Sequence, residues 1–158
     1  MRLKYLFFRV FVMLLKLLQI CFFNLQFFFF QTQFIFDVPI FERFMQHVRD
    51  LGLEKRCFIL AGVGPIRSLR ALEHMRREVP GMYVPDEVVR RLRGVPDDRV
   101  AAEGLALCSE IIAQVKTIPG VAGTHVMAFN WEEAIPEILE RAGLPRLGTS
   151  EPALRGSK

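Results

Sequence analysis

The stretch from Arg56 to Val63 (RCFILAGV) constrains the fold most. After the arginine it is uninterrupted and apolar. It then breaks at Gly64-Pro65 and passes into a basic amphipathic helix from Ser68 to about Glu78, closed by Pro80-Gly81. A short apolar run with a turn and a helix behind it predicts a parallel strand buried on both faces.

The same unit recurs along the chain. Gln31 to Asp37 (QTQFIFD) reads as a strand that ends in polar groups. A helix opened by Pro39 follows it to about Leu51, with Phe41, Phe44, Met45 and Val48 on one face. Gly52 ends that helix. Met82-Tyr83-Val84 predicts a short third strand ending at Pro85, and Asp86 caps a helix through about Leu92. Gly94-Val95-Pro96 breaks the chain. A long helix then starts at Asp97 or Asp98, with Val100, Leu105, Leu107, Ile111, Ile112 and Val115 as its apolar positions, and Pro119-Gly120 closes it. Gly123 to Phe129 predicts a fourth strand. Trp131 to Ala142 predicts the last helix, stopped by Gly143.

Four strand–helix units predict an α/β fold with a parallel sheet. They amount to half of a (β/α)8 barrel or to a small open sheet. In either case the chemistry belongs to the loops after the strands' C-terminal ends. Those loops fall at residues 33–37, 62–68, 84–87 and 129–132.

The 158 residues, 51% hydrophobic and 24% charged, suit one small body. Charge is unevenly placed. Arg2, Lys4, Arg9 and Lys16 precede Asp37 with no acidic residue among them, whereas 17 basic residues balance 17 acidic ones from Asp37 onward. The net +4 is therefore the leader's, and the balanced body argues against nucleic acid as a partner. Nine of the 15 phenylalanines lie in the first 30 residues. The chain thus divides into a hydrophobic, Phe-rich leader (1–30), a β/α body (31–145) and a polar tail (146–158).

Leu17 to Phe36 carries no charge over 20 residues, long enough to cross a bilayer as a helix, but it holds six amide or hydroxyl side chains. Leu6 to Phe23 is greasier and carries Arg9 and Lys16. The leader is read as a hydrophobic helix. It packs on the body, anchors it to a membrane through residues 6–30, or stands outside the ancestral domain. Cys21, Cys57 and Cys108 show no metal-ligand spacing, so no metal site is expected, and unclustered thiols suit the reducing cytoplasm. Cys57 and Cys108 read as packing residues. His47, His74 and His125 read as helix-surface and strand histidines. Arg67, Arg70, Arg76 and Arg77 form a basic helix face near a loop mouth.

Several segments together carry a resemblance. They are TQFIFD at Thr32–Asp37, AGVGPIRS at Ala61–Ser68, PGMYVP at Pro80–Pro85, the pair Glu103-Gly104, and GVAGTHVMAFN at Gly120–Asn130. In order and spacing they resemble the C-terminal half of methylenetetrahydrofolate reductase, from residue 31 to about residue 144. The resemblance implies strands five to eight of a (β/α)8 TIM barrel. It implies an oxidoreductase that carries 5,10-methylenetetrahydrofolate to 5-methyltetrahydrofolate with FAD and NAD(P)H, here in a truncated form. The catalytic glutamate and most flavin contacts belong to the family's first four strands, which have no counterpart in residues 1–30.

The resemblance also implies a folate site. Gln33 matches a folate-contacting glutamine whose amide offers both a donor and an acceptor to the pterin edge. Asp37, in the same motif, caps the following helix. Ala71 stands where the family has a second folate-contacting glutamine, Met75 where it has an aromatic, and Trp131 where it has an arginine. Ala71 and Met75 share a helix face and would form an apolar wall. Trp131 would stack on a flat ring. Gln33, Ala71, Met75 and Trp131 are the candidate substrate-binding residues. Expected partners are a folate substrate and either a second copy or a complementing half-barrel. The alternative reading is a non-enzymatic, membrane-associated module with a degenerate β/α body.

Overall fold

The computed structural model describes residues 28–144. The predicted leader helix and the polar tail lie almost wholly outside them. Among the described residues no helix is long and apolar enough to cross a membrane.

The sheet has three parallel strands: β1 (Phe28–Phe34), β2 (Cys57–Val63) and β3 (Val121–Val126). Their spatial order is β1-β2-β3. Right-handed crossovers between strands laid down in sequential order put all connecting helices on the same face. The helices are α1 (Val38–Asp50), α2 (Leu69–Glu78), α3 (Asp86–Arg93), α4 (Val100–Val115) and α5 (Ile135–Arg141).

Burial follows from that one-sided cover. Along β2, Ile59, Ala61 and Val63 are 3%, 0% and 1% exposed beneath the helices. On the other face Phe58 is 37% exposed and the neighbouring Phe29 of β1 is 69% exposed, their rings stacked at 5.0 Å. Among the described residues the helices thus cover the apolar run of β2 on one face. Met45, Leu72, Leu92, Ile112 and Ile138, all essentially inaccessible, bring α1, α2, α3, α4 and α5 into one core with β2.

Beyond shifts of a few residues at the ends of the last strand and last helix, two differences from the sequence expectation matter. First, Met82–Val84 is not a strand, so there are three strand–helix units rather than four. β3 pairs directly with β2, from Ile59↔Val121 to Val63↔Val126, and takes the neighbouring position. The Met82 segment lies between Pro80-Gly81 and Pro85, which restrict it. Its apolar character serves packing, since Val84 is buried in the helical core. The β2–β3 crossover therefore carries α2, α3 and α4. Second, β1 begins at Phe28, inside the Phe run assigned to the leader. Phe28, Phe29 and Phe30 pair with Cys57, Phe58 and Ile59, so the uncharged window to Phe36 is not one continuous helix.

Helix ends follow local chemistry. The Asp37 carboxylate accepts from Ile40 N at 2.8 Å and caps α1 as expected. Ser68 Oγ accepts from Ala71 N at 3.2 Å and caps α2. Gly52 and Gly143, at φ 65° and 63°, take the left-handed turns that end α1 and α5.

Candidate functional site

The C-terminal ends of the three strands bring three loops together. The first contributes Gln33 and a bulge. Register runs Gln31↔Leu60, then Phe34↔Gly62, so β1 carries one extra residue here. The Thr32 hydroxyl closes the gap: Gly62 N donates to Thr32 Oγ1 at 2.8 Å, and Thr32 Oγ1 donates to Gln33 O at 2.8 Å. Ile35 N then donates to Gly62 O at 2.9 Å and resumes the ladder. Gly62 has to be glycine, because a Cβ there would stand 2.7 Å from Gln33 O and 2.9 Å from Met127 Cε. The bulge leaves Gln33 exposed, and its amide makes no hydrogen bond among the described residues.

The second loop follows β2. Ile66 within it is fully buried. Gly104 on α4 sits against its backbone, where a Cβ would overlap the Ile66 carbonyl oxygen and lie 2.8 Å from the carbonyl carbon. Arg91 of α3 locks the same stretch of α4. Its Nε donates to Glu103 at 2.5 Å, and its two terminal nitrogens donate to Glu110 at 2.6 and 2.7 Å. These bonds hold the Glu110 carboxyl below its usual range and push the Arg91 guanidinium higher still. The Glu103-Gly104 pair thus has a double role: one residue ties α4 to α3, and the other lets α4 approach the loop.

The third loop follows β3. Met127 N donates to Val63 O at 2.7 Å and carries the pairing one residue past the strand. Phe129 comes next, 71% exposed, with its ring 5.9 Å from that of Phe34. Asn130 takes φ 52°, a left-handed turn that asparagine tolerates. Arg67 reaches across from the second loop: its Nη1 donates to Asn130 O at 3.3 Å, and its Cζ lies 5.9 Å above the half-buried Trp131 ring.

The four candidate substrate residues are therefore distributed unequally. Gln33 and Trp131 belong to converging loops, linked through Phe34–Phe129 and through the Arg67 crossing. Ala71 and Met75 lie one turn apart on α2, both half-buried, with Met75 packed against the core. The basic helix face is divided. Arg76 pairs with Asp86 at 2.6 Å and Arg77 approaches Glu73 at 3.8 Å, whereas Arg67 turns toward the mouth. His125 is half-buried in β3, in register with Gly62.

Sequence reasoning missed Phe129 as a site residue. The available signal was an aromatic at a strand exit followed by Asn130. It also missed Thr32, whose role depends on a bulge that the strand pattern does not announce. A cleft of about 290 Å³ opens on the helix side, lined in part by Asp37, Pro39, Glu87, Arg91, Glu110 and Gln114.

The family model described as methylenetetrahydrofolate reductase matches residues 28–143. A relative from Caenorhabditis elegans, described as a probable methylenetetrahydrofolate reductase (NADPH), is 26% identical over 118 residues. That match covers 73% of this chain and 17% of the relative.

Proposed function

The chain belongs to the methylenetetrahydrofolate reductase family, and from that premise we propose that it forms the folate-facing wall of a barrel-type reductase that yields 5-methyltetrahydrofolate. Three parallel β/α units in sequential order, with helices on one face, suit a segment of barrel wall rather than a doubly wound sheet. The observation that carries the reading is the unpartnered Gln33 amide, exposed at the strand ends beside the Phe34–Phe129 pair.

The pterin presents donors and acceptors along one flat edge. A side-chain amide offers one of each in the same plane, so Gln33 can grip that edge and fix the ring's rotation. Phe129 and Trp131 supply aromatic surface next to it. In this reading Ala71 and Met75 form an apolar side wall and contribute no hydrogen bond of their own. Orientation matters more than tightness, because a transferred hydride needs its acceptor carbon held in near-attack geometry.

In the family, FAD supplies the hydride to the folate after reduction by NAD(P)H. The cleft on the helix side does not suit that dinucleotide. It places the Asp37, Glu87 and Glu110 carboxylates where a pyrophosphate would be repelled. Its cation, Arg91, is already engaged by Glu103 and Glu110. We therefore assign flavin and nicotinamide binding to groups outside the described residues, contributed by a complementing half-barrel or a second copy. The two strand edges unpaired among the described residues suit such a complement. A cytoplasmic setting agrees with the unclustered thiols.

Trp131 is the chain's single tryptophan, so its fluorescence reports on the mouth directly. Titration of the full chain with 5-methyltetrahydrofolate is expected to change that emission saturably. Gln33→Ala is expected to weaken binding roughly tenfold, the scale of a lost hydrogen-bonded pair. Absence of saturable binding by the unaltered chain would overturn the reading. Purified chain is expected to show no stoichiometric flavin absorbance.

A further inference from the structure

We propose that Arg67 is the anion-receiving group of this mouth and takes a carboxylate at the end of the ligand remote from the ring that Gln33 grips. The inference rests on the folate reading and names the part of the ligand that Arg67 would meet, the glutamate tail.

Arg67 and Arg70 lack a carboxylate partner among the described residues, and of the two only Arg67 reaches across to the third loop, at Asn130 and Trp131. Arg76 and Arg77 have carboxylate partners, as do Arg91 and Arg93 on α3. Among the described residues no carboxylate pairs with Arg67. Its one hydrogen bond, to Asn130 O, is long and occupies one of five guanidinium N–H groups. The group is nevertheless positioned. The Trp131 ring centroid lies 5.9 Å from its Cζ, Asn130 O accepts from Nη1, and its backbone is held between buried Ile66 and Ser68, the cap of α2. An exposed guanidinium within cation–π reach of an aromatic ring, with most of its donors unused among the described residues, is available for bidentate carboxylate binding.

The neighbours set the ligand's shape. Phe129, exposed beside Phe34, offers a ring surface between the first loop and the third. A ligand that spans this mouth therefore needs a hydrogen-bonding heterocycle at the Gln33 end, an aromatic middle and an anionic end at Arg67. The acidic residues that follow Trp131, Glu132 and Glu133, are exposed on a short 3-10 turn and would disfavour a carboxylate that bypassed Arg67.

The test compares two ligands on the full chain by Trp131 fluorescence and equilibrium dialysis: 5-methyltetrahydrofolate and its analogue lacking glutamate, 5-methyltetrahydropteroate. The expected result is tighter binding of the glutamate-bearing ligand by roughly tenfold, with a salt dependence that the analogue lacks. Arg67→Gln should abolish that difference and leave the analogue's affinity unchanged, and Arg67→Lys should restore part of it. Circular dichroism confirms that the variants fold, since Arg67 is exposed. If the unaltered chain binds both ligands equally, or if Arg67→Gln weakens both alike, the inference fails while the folate reading stands. If it binds neither, the folate reading fails and the inference with it.

Discussion

The Thr32 hydroxyl takes the place of a backbone acceptor for Gly62 N at 2.8 Å, across the β1–β2 pair. The bulge in β1 therefore depends on a side chain, and Gln33 takes its direction from that bulge. Thr32→Val keeps the shape and removes the acceptor, leaving a part-buried amide unsatisfied. We expect about 1–3 kcal/mol of lost stability in urea denaturation, largely recovered by Thr32→Ser. A Thr32→Val variant as stable as the unaltered chain would show that water replaces the hydroxyl at no cost.

Gly104 and Ile66 set the position of the loop that carries Arg67. Gly104→Ala puts a methyl into a backbone carbonyl, which cannot swing aside as a side chain would. The expected loss exceeds about 2 kcal/mol, well above the small gain that alanine brings to an exposed helix site. Comparing thermal melts of Gly104→Ala and Gly94→Ala separates the two effects. Gly94, at the end of α3, has its nearest neighbours at 3.2 and 3.4 Å and should tolerate the change better.

Cys108 is 1% exposed on α4, and burial pushes its thiol up to about 12. The unfolded thiol ionises near 8.5, so between those values the unfolded chain releases a proton that the native chain keeps. Its stabilising contribution is therefore complete below about pH 8.5 and is lost as pH rises toward 12, at up to about 1.4 kcal/mol per unit within that window. Denaturation at pH 8 and pH 10 should show a steeper decline for the unaltered chain than for Cys108→Ala. Alkylation at pH 8, mapped by mass spectrometry, should leave Cys108 unmodified. Cys57 is half-buried and its thiol is also raised by burial, partly offset by Arg56, so it should react slowly.

Phe29 is 69% exposed on the sheet face opposite the described helices, so replacing it is expected to touch association more than folding. Phe29→Ser is expected to lower concentration-dependent assembly in sedimentation velocity while shifting the unfolding midpoint little. Unchanged assembly would remove this face as the docking surface.

Much of the fold was legible in the sequence because its signals are local. Asp37, Pro39, Gly52 and the Phe41–Phe44–Met45–Val48 spacing define α1 without reference to anything distant. Met82-Tyr83-Val84 misled because three apolar residues between prolines look alike whether they pair in a sheet or pack beneath a helix. Only the direct β2–β3 register decides the matter, and register is a long-range fact. Phe28–Phe30 misled for a related reason: an all-apolar run has no period to distinguish strand from helix. In the site, Gln33 was readable from its motif. The approach of Arg67 to Trp131 was not, since 64 positions separate them and nothing in either segment names the other.

Each strand of this sheet is bonded to the strand that comes next along the chain. The wall can therefore be laid down from one end to the other, with no later segment needing to slip between two that have already joined. Among the described residues its unpaired borders are β1 and β3. Further strands can be added at either border without breaking any existing pair, so a partner could complete the enclosure and leave the Gln33–Arg67 rim as it stands.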